Sequence, residues 1–336
     1  SDEILQILLS ISLSNSNAYI YCHSGDLLYR DFNKLGTRYF SEPSGISLEM
    51  KNKYEFKDHL VSLLNENPNV TFVFGTEWAK NASESENKIK YKKYKIIPSP
   101  IDEEMFSFRH KTSELRKKIC VVRKFDNINT YGIDIDVKAI LELSKREFFG
   151  ELEFNIYGDG NYYDVLVAPL KKFKNVHFHK YFLSHQEMVK VFENNGIALF
   201  GTRYETQGVA ASEAAMSGLV VISNDVTAVS DTFDKEILSP SEDYIDMANK
   251  IEHYYNHPDE FVDMSLKIHE MVKNKSGLQI SLYKEMEMFK EEKASRNFIM
   301  KSSLETDQPI LSVIVPSYNA QQWLKHGVES ILASSE

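Results

Sequence analysis

The chain has 336 residues, enough for two domains of ordinary size, and its 42% hydrophobic and 26% charged content is that of a globular protein. A formal net charge of −10 argues against general nucleic-acid binding, which needs a basic face. No apolar run is long enough to span a bilayer, and the opening Ser1-Asp2-Glu3 lacks the basic region of a secretion signal.

Taken in order, residues 2–13 suit a helix and residues 14–17 a turn. Ala18-Tyr19-Ile20-Tyr21-Cys22-His23 reads as a strand, and residues 37–40 as another. A long helical stretch runs from about residue 46 to 65. Val70-Thr71-Phe72-Val73-Phe74 is a strand, residues 77–86 suit a helix, and residues 94–98 form the last strand of this half. Strands alternating with helices imply a parallel sheet covered by helices. The run from Lys88 to Lys95 is basic and aromatic. It suits an edge strand guarded by lysines, or a contact with anionic lipid or a polyprenyl-diphosphate acceptor. Pro98 and Pro100 mark a boundary.

The second half repeats the alternation. Residues 118–123 form a strand ending on Arg123, and 133–145 carry Val137, Ile140 and Leu141 at helical spacing. Residues 152–157 form a strand that runs into Gly158-Asp159-Gly160. Val176-His177-Phe178 is the next strand, 186–194 a helix, and 197–200 an apolar strand. Residues 208–217 suit a helix of very small side chains, stopped by Gly218, and Leu219-Val220-Val221-Ile222 reads as a buried strand. Helices are expected near 243–256, 259–273 and 278–293. In such sheets ligands sit beyond the carboxyl ends of the strands. Arg123, the Gly158 turn, His179 and Glu205 all lie at such ends. Cys22 and Cys120 are far apart in strand-like contexts, which suits free thiols in a reducing cytoplasm.

Glu213 is the odd residue of the small-residue helix. Ala210, Ala211, Ala214 and Ala215 surround it, so its carboxylate needs a partner to be held there. A ligand diol supplies one, because an ionised carboxylate accepts hydroxyl protons. The loop Glu205-Thr206-Gln207-Gly208 opens that helix, and a helix N-terminus suits a diphosphate. The Arg123 guanidinium can fork onto phosphate oxygens, with Lys124 beside it. There is no dinucleotide fingerprint and no P-loop, and no His/Cys/Asp/Glu group stands out at metal-ligand spacing.

The pair Glu205 and Glu213, separated by seven residues, one on the loop after a strand and the other in the Gly-opened helix that follows, resembles the donor site of family 4 glycosyltransferases of the GT-B fold. Further resemblances are Arg123, the Gly158-Asp159-Gly160 turn, residues 176–181, and the segment from Ile96 to Phe106 that joins the halves. Ser99 and Pro100 stand where the family has Asn-Gly, and Tyr131 precedes Gly132 where the family has a Lys. His179 stands where Gly is frequent and is read as an ordinary strand residue. The resemblance implies an α/β chain of GT-B type, with two Rossmann-like doubly wound parallel-sheet domains facing a cleft. Residues 1–106 are then an incomplete acceptor-side domain, 107–293 the nucleotide-sugar donor domain and 294–308 a linker. Pro309 to Asn319 resembles the opening strand of a family 2 glycosyltransferase of the GT-A fold, so 309–336 is expected to be the start of a further domain in a longer chain.

The implied activity is sugar transfer from a nucleotide-diphosphate sugar to a hydroxyl of a glycan or lipid-linked acceptor, with retention and with no metal or other cofactor. Gln207, Gly208 and Val209 would offer backbone N–H groups to the diphosphate and sugar, and the Gly158 backbone would approach the nucleotide. Arg123 would stabilise the leaving diphosphate, Glu205 would hold the sugar, Glu213 the ribose, and His23 would face the sugar across the cleft. Family association further implies bacterial surface-polysaccharide assembly at the cytoplasmic face, with a peripheral membrane contact. A non-catalytic nucleotide- or glycan-binding scaffold is the alternative, and a GT-B epimerase or phosphorylase a third.

Overall fold

The computed structural model describes residues 17–22, 48–126 and 130–299. The expected helix at 2–13, the strand at 37–40, His23 and the segment 309–336 lie outside these residues. Two parallel sheets account for the strands. The first holds β1 (Ala18–Cys22), β2 (Val70–Phe74) and β3 (Tyr94–Ile96) in that order. All of β2 is buried, as its unbroken Val-Thr-Phe-Val-Phe run requires of a covered parallel strand. Helices α1 (Leu48–Glu66) and α2 (Glu77–Asn87) belong to this half, and Leu60, Leu64, Phe72 and Phe74 form its core. Thr76 caps α2 by accepting from the Ala79 N–H at 3.2 Å.

The basic run is not the lysine-guarded strand expected of it. Tyr91 is a core residue, 4.6 Å ring to ring from Phe72, with its hydroxyl 2.6 Å from Ser83. Lys90, Lys92 and Lys95 pair with Glu84, Glu66 and Glu291. Only two residues of the run, Tyr94 and Lys95, are strand, because the buried ring pulls the chain inward before β3.

The second sheet holds β4 (Lys118–Val122), β5 (Glu153–Tyr157), β6 (Val176–His179), β7 (Ile197–Phe200), β8 (Val220–Asn224) and β9 (Leu238–Ser239). Its order is β6-β5-β4-β7-β8-β9, parallel throughout. The order reverses between β4 and β7, which opens a crevice at their carboxyl ends. Helices α3 (Ile133–Leu143), α4 (Tyr163–Val167), α5 (His185–Asn194), α6 (Val209–Met216), α7 (Val229–Thr232), α8 (Tyr244–Asn256) and α9 (Pro258–Ser276) complete the half. Ser184 and Glu187 close a capping box on α5. Ile119, Phe154, Leu199 and Val221 are fully buried at the sheet's centre.

The halves are joined twice. The segment after β3 crosses into the second half, where Ile101 makes a parallel bridge to Gly277. Its N–H donates to Ser276 at 2.8 Å and its carbonyl accepts from Leu278 at 3.1 Å. Helix α10 (Leu278–Ile299) then returns to the first sheet. Met288 packs with Val73 and Ile97, and the Phe289 ring lies 4.9 Å from Tyr19. The helix runs to Ile299, past residue 294, where polar composition suggested a linker.

Close approach of two strand ends places a strict demand at Gly158. Its φ is +140°, and a Cβ there would lie 1.8 Å from the Arg123 carbonyl oxygen. Gly158→Ala is expected to cost on the order of 3 kcal/mol in urea unfolding, through strain and backbone displacement together.

Candidate active site

The crevice between β4 and β7 is spanned by one ion pair. Arg123, the first residue after β4, is nearly enclosed, its side chain 8% exposed. Its Nη1 donates to Glu205 Oε1 at 3.1 Å, and Nη2 reaches the Gly201 carbonyl at 3.5 Å. The guanidinium carbon lies 4.8 Å from the Phe200 ring centre and 5.2 Å from that of Tyr131, an arrangement that favours a held cation. Arg123 Nε is buried and bonded to nothing. Glu205 is fixed through its backbone: its N–H donates to Thr227 Oγ1 at 2.8 Å, and its carbonyl accepts from the same hydroxyl at 2.7 Å.

Helix α6 begins two residues after Thr206 and Gln207 have crossed the crevice. Gly208 caps it with φ +76°, a conformation that glycine adopts without cost. Glu213 lies further along the helix, and burial alone pushes its carboxyl up to about 7. It lines a cavity of about 370 Å³ together with Arg123, Lys124, Gly158, Val209 and His185. No protein group among the described residues pairs with the Glu213 carboxyl. A second cavity, of about 480 Å³, opens between the two halves, with Glu205, Gln207, Gly208 and Val209 on one side and Tyr21, Ser99 and Glu285 on the other. Val209 is common to both, so the tip of α6 divides them.

The structure therefore brings Arg123, Lys124, Gly158, Val209 and Glu213 to one cavity, and Glu205, Gln207 and Gly208 to the next, with the Arg123–Glu205 bond linking the sets. His23 lies outside the described residues. His179 stacks on Tyr157 at 4.2 Å, and burial holds its imidazole below the usual value. It does not line either cavity.

Two groups were not legible as site residues. Asp136, in the first turns of α3, is 1% exposed. Its Oδ1 accepts from the Gly201 N–H at 2.6 Å, while Oδ2 is buried without a partner. Burial pushes this carboxyl up to about 7, against the pull of the Arg123 charge. The Gly201 residue is thus held from one side by Asp136 and from the other by Arg123. Arg203 forks onto Asp134 at 2.7 and 2.9 Å and bonds Glu242 at 2.5 and 2.8 Å. Burial works to raise the Asp134 carboxyl, yet Arg203 holds it below its ordinary value. Acids early in a helix are ordinary partners of the helix dipole, so nothing in the sequence marked these two as anchors of the β7 loop.

One grouping was not singled out in the sequence. His253, His257 and Glu260, from the end of α8 and the start of α9, bring ligand-type atoms within 4.8 Å of one another, all exposed. His253 Nε2 already bonds Glu260 Oε2 at 2.8 Å, which accounts for the cluster without an ion.

With this geometry in hand, the comparisons fall into place. Residues 116–257, within the second half, match the family model of group 1 glycosyl transferases. The described residues have the GT-B fold. The chain superposes on S. aureus TarM, solved with fondaparinux, α-GlcNAc-glycerol and UDP, with TM-score 0.61 and 17% identity over 82% of this chain and 51% of that one. It is similar to the sucrose-phosphate synthase of Thermosynechococcus elongatus (TM-score 0.62, 15% identity, 82% and 68% covered). It is also similar to the pneumococcal O-GlcNAc transferase GtfA, solved with UDP and GlcNAc (0.55, 21%, 71% and 47%). The chain spans about half the length of TarM. No curated protein matches it by sequence. No helix among the described residues is long and apolar enough to cross a membrane.

Asp136→Ala should leave the buried Gly201 N–H without an acceptor and cost about 1–3 kcal/mol in denaturant unfolding. Asp136→Asn keeps an acceptor oxygen and is expected to recover most of that loss.

Proposed function

We propose that this chain is the catalytic GT-B unit of a glycosyltransferase that moves a sugar, with retained anomeric configuration, from a nucleoside-diphosphate sugar to a hydroxyl acceptor. The observation that carries this reading is Glu213. It is a carboxyl on a helix of alanines, raised by burial, with no protein cation beside it and an open cavity in front. A ribose diol in that cavity would donate its hydroxyl protons to this group.

The other roles follow from position. The N–H groups of Gln207, Gly208 and Val209 lie at the α6 tip, where a diphosphate would meet the positive end of the helix. Arg123 would shift its charge from Glu205 to the departing diphosphate, with Lys124 at the cavity rim. Glu205, so released, would accept from the sugar hydroxyls. The bond between the anomeric carbon and the diphosphate oxygen breaks and the acceptor oxygen bonds that carbon on the same face. The acceptor's proton leaves with the diphosphate. His23 would face the sugar from the first half. UDP in TarM and GtfA supports a uridine donor as the first to try. A bacterial surface glycan or lipid-linked acceptor, handled at the cytoplasmic face without a metal, completes the proposal.

Glu213→Ala and Glu205→Ala in the full-length protein are expected to lose donor turnover by more than about a hundredfold, read as hydrolysis or transfer of the donor that best stabilises the wild type in a thermal-shift series. Normal turnover in both variants would remove the assignment. Binding with no turnover in the wild type would favour the scaffold.

The acid also gives a pH signature. Between its ordinary 4.5 and about 7 the folded chain holds a proton on Glu213 that the unfolded chain releases, so this group makes stability fall as pH rises through that window. A diol prefers the ionised form, so nucleotide-sugar affinity should rise with pH. It should be about tenfold weaker one unit below the transition than at its plateau. Calorimetry at pH 6 and 8 checks this, and Glu213→Gln should flatten the dependence.

A further inference from the structure

The side chain of Gln207 does something its backbone role does not explain. It is buried, and its amide lies flat against the segment between the halves. Oε1 accepts from the Ser99 N–H at 2.7 Å, and Nε2 donates to the Ser99 carbonyl at 2.9 Å. One side chain thus makes the pair of bonds that a neighbouring strand would make. A primary amide offers the donor and the acceptor this requires side by side and without a charge. Room for it comes from Gly75, the residue after β2, where a Cβ would sit 2.8 Å from Gln207 Oε1. Beside it, Thr76 Oγ1 donates to the Thr206 carbonyl at 2.9 Å, and on the far side Trp78 N–H donates to Asp231 at 2.7 Å. The end of β2, the crossing segment and the tip of α6 therefore meet at one point in the wall of the second cavity.

We infer that the Gln207 amide is a positioning group for transfer: seated between Gly75 and Ser99, it sets the α6 tip and Glu205 against the first half, and the second cavity is assembled only while it is seated. This rests on the glycosyl-transfer reading. The Gln207 side chain does not line the first cavity, and the α6 backbone, with its N–H groups, stays with Arg123 and Glu213 in its own half when the amide is unseated, so nucleotide binding and turnover should separate when it is disturbed.

Two variants disturb it from opposite sides. Gln207→Glu keeps an acceptor for the Ser99 N–H but sets a carboxylate against the Ser99 carbonyl. Gly75→Ala, in the other half and away from the nucleotide cavity, pushes a methyl group into Oε1. In the full-length protein, UDP, GDP and ADP serve as binding probes, and their glucose conjugates as donors whose hydrolysis is timed. Both variants are expected to lose at least about tenfold in kcat for the donor the wild type hydrolyses. Affinity for the matching nucleoside diphosphate should stay within about threefold, which also shows the donor half folded. Gln207→Asn, too short to reach both groups, should resemble Gln207→Glu. Wild-type kcat in Gly75→Ala and Gln207→Glu overturns the inference alone. So does a loss of nucleotide affinity in step with kcat. A wild type that hydrolyses none of the donors overturns the transfer reading and this inference together.

Discussion

The structure depends on one electrostatic contact across the crevice at the carboxyl edge of a sheet. Parallel strands β4 and β7 are neighbours, but their following loops leave in opposite senses, and the Arg123–Glu205 pair spans the opening. A guanidinium this enclosed needs an anion, aromatic faces or both, and it has Glu205, Phe200 and Tyr131. Its unused Nε is a full-strength donor waiting inside the protein. The loop that supplies Glu205 is in turn held by Asp136, Arg203 and Thr227, so much of the surrounding polar structure serves to hold one carboxylate at one distance from one cation.

The same economy explains two acids raised by burial that pair with no cation among the described residues. Glu213 and Asp136 are both raised by burial to about 7, yet they differ in what they face. Asp136 is closed in and bonded to a backbone N–H, which makes it part of the scaffold. Glu213 faces a cavity. Burial alone would not distinguish a structural acid from a binding one; the void in front of the carboxyl does. A neutral carboxyl can be tolerated in the empty site and ionise when hydroxyl donors arrive, which keeps the cost of burial low until it is useful.

Much of the second half was legible because parallel strands covered on both faces are written as apolar runs, and the turns between them need glycine. β4, β5, β7 and β8 and the glycine turns at 158 and 208 are readable for that reason. The Glu205–Glu213 spacing drew attention to the crevice beyond β7, where the two residues line neighbouring cavities. What was not readable depends on contacts distant in sequence. β9 has two residues and no periodicity to show. Asp136 looks like any acid early in a helix, and the Gln207 side chain finds its partner 108 residues away. Tyr91 hid in a lysine-rich run because composition reports charge, while one buried ring decided the path of the chain.

The paired crossings between the halves carry a mechanical consequence. The outgoing segment and the returning helix pass side by side and are pinned to each other where Ile101 meets Gly277. Two tethers clamped at one place resist shear far more than they resist rotation about the clamp. Whatever freedom the halves keep is therefore that of a book on its spine, and the Glu285 end of the returning helix, anchored to Tyr21, rides with the page it is bound to.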